Sequence, residues 1–270
     1  MYTRFEGCKA LVTGAAKGIG LTIATELAQE GARVWLADMD LQGVQVLERE
    51  LQARGLSACA VALDVGDEQQ WLQLVQRIRL EEGGLDILVN NAGIAPVSSI
   101  EDTSLQRFRH VMQVNAEGVF LGIRSCLPLL RANSHRRAGG SAVVNLASLL
   151  AIRALPHNIA YGASKAAVLQ IGKCAAIELA RQGDAIRVNN VMPSVTDTPM
   201  VQQELKEWAH KGTMGTHDVE QTRKALDQRI PIGRIAQPMD IAQAVLFLCS
   251  EASAFMTGVD LPVDGGRMAI

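Results

Sequence analysis

Short apolar runs alternate with longer stretches whose apolar positions recur every three or four residues, and the alternation persists along most of the chain. Residues 8–13, 33–37, 57–62, 85–89, 141–146, 185–191 and 258–262 read as strands. Between them, helical periodicity runs from the glycines at 14–20 to Glu30, then over 41–53, 68–80, 104–128, 157–181 and 238–250. Strands joined by helices require right-handed crossovers, so the pattern predicts an α/β fold on a parallel sheet.

Two stretches depart from simple amphipathicity. The helix predicted over 157–181 carries apolar residues on nearly every side, among them Ala163, Ala166, Leu169, Ile171, Cys174 and Leu179. Such a helix must be buried in the core or against another subunit, and a homodimer or homotetramer is expected. Residues 201–229 instead mix charges with isolated apolar positions at Leu205, Trp208, Met214, Val219 and Leu226. They read as one or two short helices of a segment at 196–230 that covers a site, as inserted segments commonly do; a surface hairpin without function is the alternative.

At 270 residues, 48% hydrophobic and 20% charged, the chain has apolar material for one large core, and residues 1–270 are read as a single domain. A net charge of −2 gives no basic footprint for nucleic acid or an anionic membrane. Five scattered cysteines lack metal-ligand or disulfide spacing, and the histidines form no metal motif. With no leader-like apolar region near the start and no run of membrane-spanning length, a soluble cytoplasmic protein without a metal is expected.

The candidate chemistry gathers where strands end. The first strand runs into Gly14, Lys17, Gly18, Ile19 and Gly20. Glycines there let the main chain approach a pyrophosphate at a helix N-terminus, or simply let strand and helix pack tightly. Asp38 closes the second strand, where a carboxylate accepts hydrogen bonds from ribose hydroxyls and repels a 2′-phosphate, favouring NAD over NADP; capping the next helix is its alternative role. Lys17 argues the other way, because an ammonium can reach a 2′-phosphate. Asp64 and Val65 end the third strand, and Asn90, Asn91, Ala92 and Gly93 end the fourth, at the sheet edge where such folds place ligands. Asn115 sits mid-helix, where a short polar side chain needs a reason. Ser148 precedes an apolar loop and a helix with Tyr161 and Lys165 four residues apart, a spacing that points phenol and ammonium into one space.

Taken together, Thr13-Gly14, Gly18-Ile19-Gly20, Asp64-Val65, Asn90 to Gly93, Asn115, Ser148, Tyr161-xxx-Lys165 and Arg187-Val188-Asn189 resemble the short-chain dehydrogenase/reductase family over residues 5–266. The resemblance implies a doubly wound Rossmann fold with seven parallel strands, a nicotinamide cofactor and a homo-oligomer built on the two long helices. It implies Tyr161 as general acid/base and Ser148 as holder of the substrate oxygen. Lys165 would bond the nicotinamide ribose and lower the Tyr161 pKa, and Asn115 would anchor a relay water. Bringing a phenol from ~10 to ~7 takes about 4 kcal/mol of preferential phenolate stabilisation, which a nearby ammonium and a positive nicotinamide ring can supply. Two positions depart from the family pattern: Pro193 is followed by Ser194 instead of glycine, and Thr196 stands where an aliphatic residue is usual, with Thr198 left for the carboxamide.

Residues expected to face substrate are Leu149, Leu150, Ile152 and Leu155 after the serine, with Ala95 and Pro96 after the asparagines. An apolar pocket suggests a hydrophobic secondary alcohol or ketone of cyclic or steroid-like character. The rivals are an NADPH-dependent 3-oxoacyl-carrier-protein reductase, against which Asp38 speaks, and a catalytically silent dinucleotide binder, which has no need of Asn115, Ser148, Tyr161 and Lys165 together.

Overall fold

In the computed structural model, which describes residues 3–212 and 215–270, β1 (Lys9–Thr13) enters α1 (Gly18–Gln29) through the glycine turn. The chain continues through β2 (Arg33–Asp38), α2 (Leu41–Ala53), β3 (Ala58–Ala62), α3 (Glu68–Glu82) and β4 (Ile87–Asn90). Short polar side chains start the helices: Asp40 caps α2 by accepting from Gly43 N, and Asp67 caps α3 by accepting from Gln69 N and Gln70 N. Asp38 is therefore not the α2 cap.

The single helix expected over 104–128 is instead α4 (Leu105–Met112), a π-helical turn (Gln113–Glu117) and α5 (Gly118–Asn133). A wide turn of this kind is an insertion into a helix and frequently marks a functional position; here it carries Asn115. Then follow β5 (Ser141–Leu146), α6 (Ile159–Arg181), β6 (Ile186–Pro193), α7 (Pro199–His210), α8 (Val219–Asp227), α9 (Pro238–Cys249) and β7 (Asp260–Val263). Met214, expected among the covering residues, lies outside the described residues.

All strand pairs are parallel, in the order β3-β2-β1-β4-β5-β6-β7. The order reverses between β1 and β4, which opens a crevice at the carboxyl ends of those strands. Alternate residues of each strand serve two cores. Val12, Val34, Val89 and Val144 pack with Ile23, Leu27, Val44 and Ile241 of α1, α2 and α9. On the opposite face Leu11, Trp35, Leu88 and Val143 pack with Trp71, Val119 and Val168 of α3, α5 and α6. A third cluster (Val97, Leu205, Trp208, Leu226, Ile230 and Ile235) joins α7 and α8 over the crevice. Among the described residues no helix is long and apolar enough to cross a membrane.

Part of the α6 surface stays open. Ile159 and Ile177 are 44% and 51% exposed, with Ala163, Ala166 and Cys174 exposed between them.

Candidate active site

The crevice holds a cavity of about 360 Å³, lined at one end by Gly14, Lys17, Gly18, Ile19 and Asp38 and at the other by Ser148, Tyr161 and Lys165. Ala92, Gly93 and Val65 line its middle, and Pro193, Ser194, Thr196 and Thr198 bound it from β6 and beyond. Most of the positions singled out from the sequence thus meet one space.

The glycine turn divides into two jobs. Gly14 and Gly18 have φ of +66° and +59°, and they line the cavity. Lys17 offers no side-chain cap to α1, which leaves the first N–H groups of that helix available to an anion. Gly20 has an ordinary φ, but a Cβ there would lie 2.1 Å from the Gly14 carbonyl oxygen. Gly20 therefore serves the close packing of helix on strand and does not line the cavity, so its expected cofactor contact gives way to the packing role. Asp38 accepts from Ala16 N at 3.0 Å and from Asp40 N at 3.0 Å, which fixes its carboxylate at the cavity edge.

The remaining positions divide between the cavity wall and its supports. Asp64 turns its carboxylate to Gly66 N at 2.9 Å and does not line the cavity, while its neighbour Val65 does. Asn115 is fully buried and also outside the lining: Oδ1 accepts from Ile94 N at 2.9 Å, while Nδ2 donates to Ile94 O at 2.9 Å and Ser164 Oγ at 3.0 Å. With both amide hydrogens committed, this side chain ties the loop after β4 to α6. Among the proposed substrate contacts Leu149, Leu150 and Leu155 line the cavity; Ile152 is 52% exposed outside it, and Ala95 and Pro96 are replaced by Ile94. Thr198 caps α7 by accepting from Val201 N at 3.3 Å, which leaves its O–H as a donor in the cavity wall beside Gly18.

Asn91 holds the switch point together. Its Nδ2 donates to Thr13 O and Gly14 O at 2.9 and 3.0 Å, and Thr13 Oγ1 accepts from Asn91 N and Ala92 N. Asn90 does something the sequence left unstated: Asn90, Asn145 and Asn190 stand in register on β4, β5 and β6. They form a side-chain ladder at 2.9 and 3.0 Å that ends on Asp260 at 2.8 Å. Arg187 and Asn189 are scaffold as well, binding main-chain carbonyls of Leu248, Ser250 and Met256.

At the reactive end, Tyr161 and Lys165 rise from successive turns of α6 into the same space, the Lys165 Nζ 5.7 Å from the Tyr161 ring centre. Lys165 is 4% exposed and donates to Leu146 O at 2.6 Å. Burial lowers its pKa to about 8. The Tyr161 phenol is pushed up to about 12, first by burial and then by the Glu204 carboxylate, against a hydrogen bond with Ser148 that lowers it. The net lowering expected from Lys165 is not reached in the chain by itself, where burial prevails. A phenol at this position can donate its proton at neutral pH; accepting one requires further positive charge nearby. Ser148 Oγ also accepts from Leu150 N at 3.1 Å, which sets the short 3₁₀ turn after β5.

Ser194 accepts from Arg267 at 3.2 Å, and Thr196 Oγ1 donates to Ser194 O at 3.0 Å. Ser194 thus pins the β6 loop to the C-terminal segment, while Thr196 closes that loop on itself. Glu204, Trp208, Leu226, Arg229 and Arg267 complete the cavity wall. Trp208 and Leu226 are apolar members of the expected cover, whereas nothing in the spacing of Glu204, Arg229 and Arg267 sets them apart from an ordinary polar surface. Among the described residues no three His, Cys, Asp or Glu side chains gather as a metal site.

The family model described as enoyl-(acyl carrier protein) reductase matches residues 14–267. The chain is 40% identical to the cyclopentanol dehydrogenase of Comamonas sp. (strain NCIMB 9872), over 96% of each chain. It is 35% identical to the 3-beta-hydroxysteroid dehydrogenase of Comamonas testosteroni, over 100% of this chain and 99% of that one. A crystal structure of a short-chain dehydrogenase/reductase from Burkholderia xenovorans superposes with a TM-score of 0.89 at 32% identity, over 99% of each chain.

Proposed function

The chain belongs to the short-chain dehydrogenase/reductase family and is an NAD(P)-dependent alcohol dehydrogenase of that family, and on this premise we propose that it interconverts a hydrophobic, cyclic or steroid-like secondary alcohol and its ketone with NAD(H). The observation that carries the reading is the meeting of Ser148, Tyr161 and Lys165 in one apolar cavity that continues without interruption to Asp38. Relatives named for cyclopentanol and 3-beta-hydroxysteroids agree with the cyclic substrate.

The residues fit a dinucleotide: a glycine cradle with positive φ, an uncapped helix start, and a carboxylate at the end of β2. Gly14, Gly18 and Ile19 would hold the pyrophosphate, Asp38 the adenosine ribose, and Lys165 the nicotinamide ribose. Ala92, Gly93, Val65 and the 193–198 loop would enclose the rest. When bound, the nicotinamide supplies the hydride acceptor for oxidation and the hydride donor for reduction.

The protein supplies the proton chemistry. Ser148 orients the substrate oxygen toward Tyr161, and Tyr161 takes the hydroxyl proton in oxidation or returns it in reduction. Lys165, held by Leu146 O, keeps a positive charge under the Tyr161 ring, and Leu149, Leu150, Leu155 and Trp208 exclude water around the substrate ring. Asn115 acts as a positioning residue through Ser164, whose Oγ donates to Tyr161 O at 2.7 Å. The helices at 199–227 serve as the substrate cover, and the open apolar face of α6 supports a homodimer or homotetramer.

Lys17 on the same cavity wall, together with the family description, favours a second reading: an NADPH-dependent reductase of carrier-protein-bound 3-oxoacyl chains. A panel of cyclopentanol, cyclohexanol, 3-beta-hydroxysteroids and a 3-oxoacyl thioester, followed by nicotinamide absorbance with both cofactors, separates the two. Highest kcat/KM for a cyclic alcohol with NAD supports the proposal. A preference for the thioester with NADPH overturns it.

A further inference from the structure

The cover helix places an acid in the catalytic cavity. Glu204 lines the same wall as Trp208, one turn further along α7, with Val201 and Leu226 beside them and Ser148 and Tyr161 in the same enclosure. Among the described residues the Glu204 carboxyl has neither a hydrogen bond nor a basic partner, although its charge is felt at Tyr161. Burial, with the neighbouring Glu207 adding to it, lifts its pKa to about 8. The Trp208 indole N–H is buried and likewise without a partner. Arg229 and Arg267 stand on the same wall, but a cavity shaped only for a hydrocarbon ring has no use for an acid without a partner beside Ser148 and Tyr161.

We infer that Glu204 recognises a second hydroxyl on the substrate, so that the enzyme prefers a cyclic diol to the corresponding mono-alcohol. This rests on the alcohol dehydrogenase reading above and names the substrate class of that same site. A hydroxyl is suited to this wall because it donates to a carboxylate or exchanges hydrogen bonds with the neutral acid. Discrimination comes from the unpaired state. A mono-alcohol leaves the carboxyl desolvated and unanswered, whereas a diol satisfies it, and sites of this construction reject the analogue that lacks the hydroxyl more strongly than apolar pockets sort methylenes. Because Glu204 rides on the cover, the second hydroxyl also draws the cover onto the substrate.

The test compares cyclohexanol with the 1,2-, 1,3- and 1,4-cyclohexanediols in the wild type, Glu204→Gln and Glu204→Leu. It measures kcat/KM with NAD, and Kd from ligand-induced thermal shifts in the presence of NADH. For at least one diol isomer the wild-type ratio of diol to mono-alcohol is expected to fall about 10–100-fold in Glu204→Leu, the ratio cancelling what loss of the Glu204 charge does at Tyr161 to both substrates. Glu204→Gln, which keeps a hydrogen-bonding side chain of the same size, is expected to retain most of the preference. Ratios unchanged in Glu204→Leu for every isomer overturn the inference. If the wild type turns over none of these alcohols, the alcohol dehydrogenase reading fails, and the Kd ratios still decide whether Glu204 meets a hydroxyl.

Discussion

The Lys165 ammonium lies 5.7 Å from the centre of the Tyr161 ring while donating to the Leu146 carbonyl at 2.6 Å, so its charge is tethered under the phenol without a bond to the hydroxyl. Removing the phenolic oxygen deletes the proton carrier and leaves the cofactor cradle untouched. Tyr161→Phe is expected to lower kcat by more than ~10³-fold while the Kd for NADH, read by fluorescence titration, changes by less than about threefold. Loss of NADH binding together with activity would show that Tyr161 is structural.

The same geometry sets the pH response. With the Tyr161 phenol near 12 and Lys165 near 8 in the chain alone, the phenolate is scarce at neutral pH, and above about pH 8 the ammonium is also lost. Oxidation, which needs the phenolate, should accelerate as pH rises through neutrality; reduction, which needs the phenol, should not. In Lys165→Met the rise in oxidation kcat/KM is expected to move to higher pH, with a loss of about 10²-fold at pH 7. A profile that stays in place in this variant refutes the electrostatic role of Lys165.

Asp38 is fixed by Ala16 N and Asp40 N at the end of β2, with Lys17 on the same wall. Replacing the carboxylate by a neutral side chain removes repulsion of a 2′-phosphate and leaves Lys17 to attract it. Asp38→Asn is expected to raise the ratio of kcat/KM with NADP to that with NAD by about 10–100-fold, equivalent to ~1.4–2.7 kcal/mol. An unchanged ratio would mean that Asp38 does not meet the ribose.

What the sequence discloses about this site follows from how far apart the cooperating residues lie. Tyr161 and Lys165 are legible because one helix fixes their relation, and the strand ends at Gly14, Asp38 and Asn91 are legible because each closes an apolar run. The ladder of Asn90, Asn145 and Asn190 is not, because it exists only through strand register across two separate crossovers. Glu204 is hidden for a different reason: on an amphipathic helix a glutamate reads as solvated until the cavity beneath it is known. Gly20 and Asp64 match a motif by type, and only their neighbours at Gly14 and Gly66 reveal packing and turn roles.

The ladder can be tested apart from chemistry. Asn145 both accepts from Asn90 and donates to Asn190 in the middle of the sheet, fully buried. Asn145→Ala strands two buried amides and opens a small void, so a loss of about 2–4 kcal/mol in denaturant unfolding is expected, with kcat per folded molecule little changed. Stability equal to wild type would show that the ladder's net contribution is negligible.

Glu204 makes a prediction about stability whose sign runs against the usual carboxylate case. Its folded value of about 8 lies above the ordinary 4.5, so between those pH values the folded protein holds a proton that the unfolded chain has released. The stabilisation from this group is complete below about pH 4.5 and is lost as pH climbs towards 8, where the desolvated carboxylate must ionise. Glu204→Gln has no such proton to lose. The Tm of the variant minus that of the wild type should therefore be smallest near pH 5, widen through neutrality and level off near pH 9, in thermal melts of the ligand-free protein. Because Lys165, whose lowered pKa drives stability in the opposite direction above pH 8, is common to both proteins, it cancels in the difference. A gap that does not grow with pH would mean that Glu204 is solvated in the free enzyme, and its place as a poised hydrogen-bonding group in the substrate cavity would fall with it.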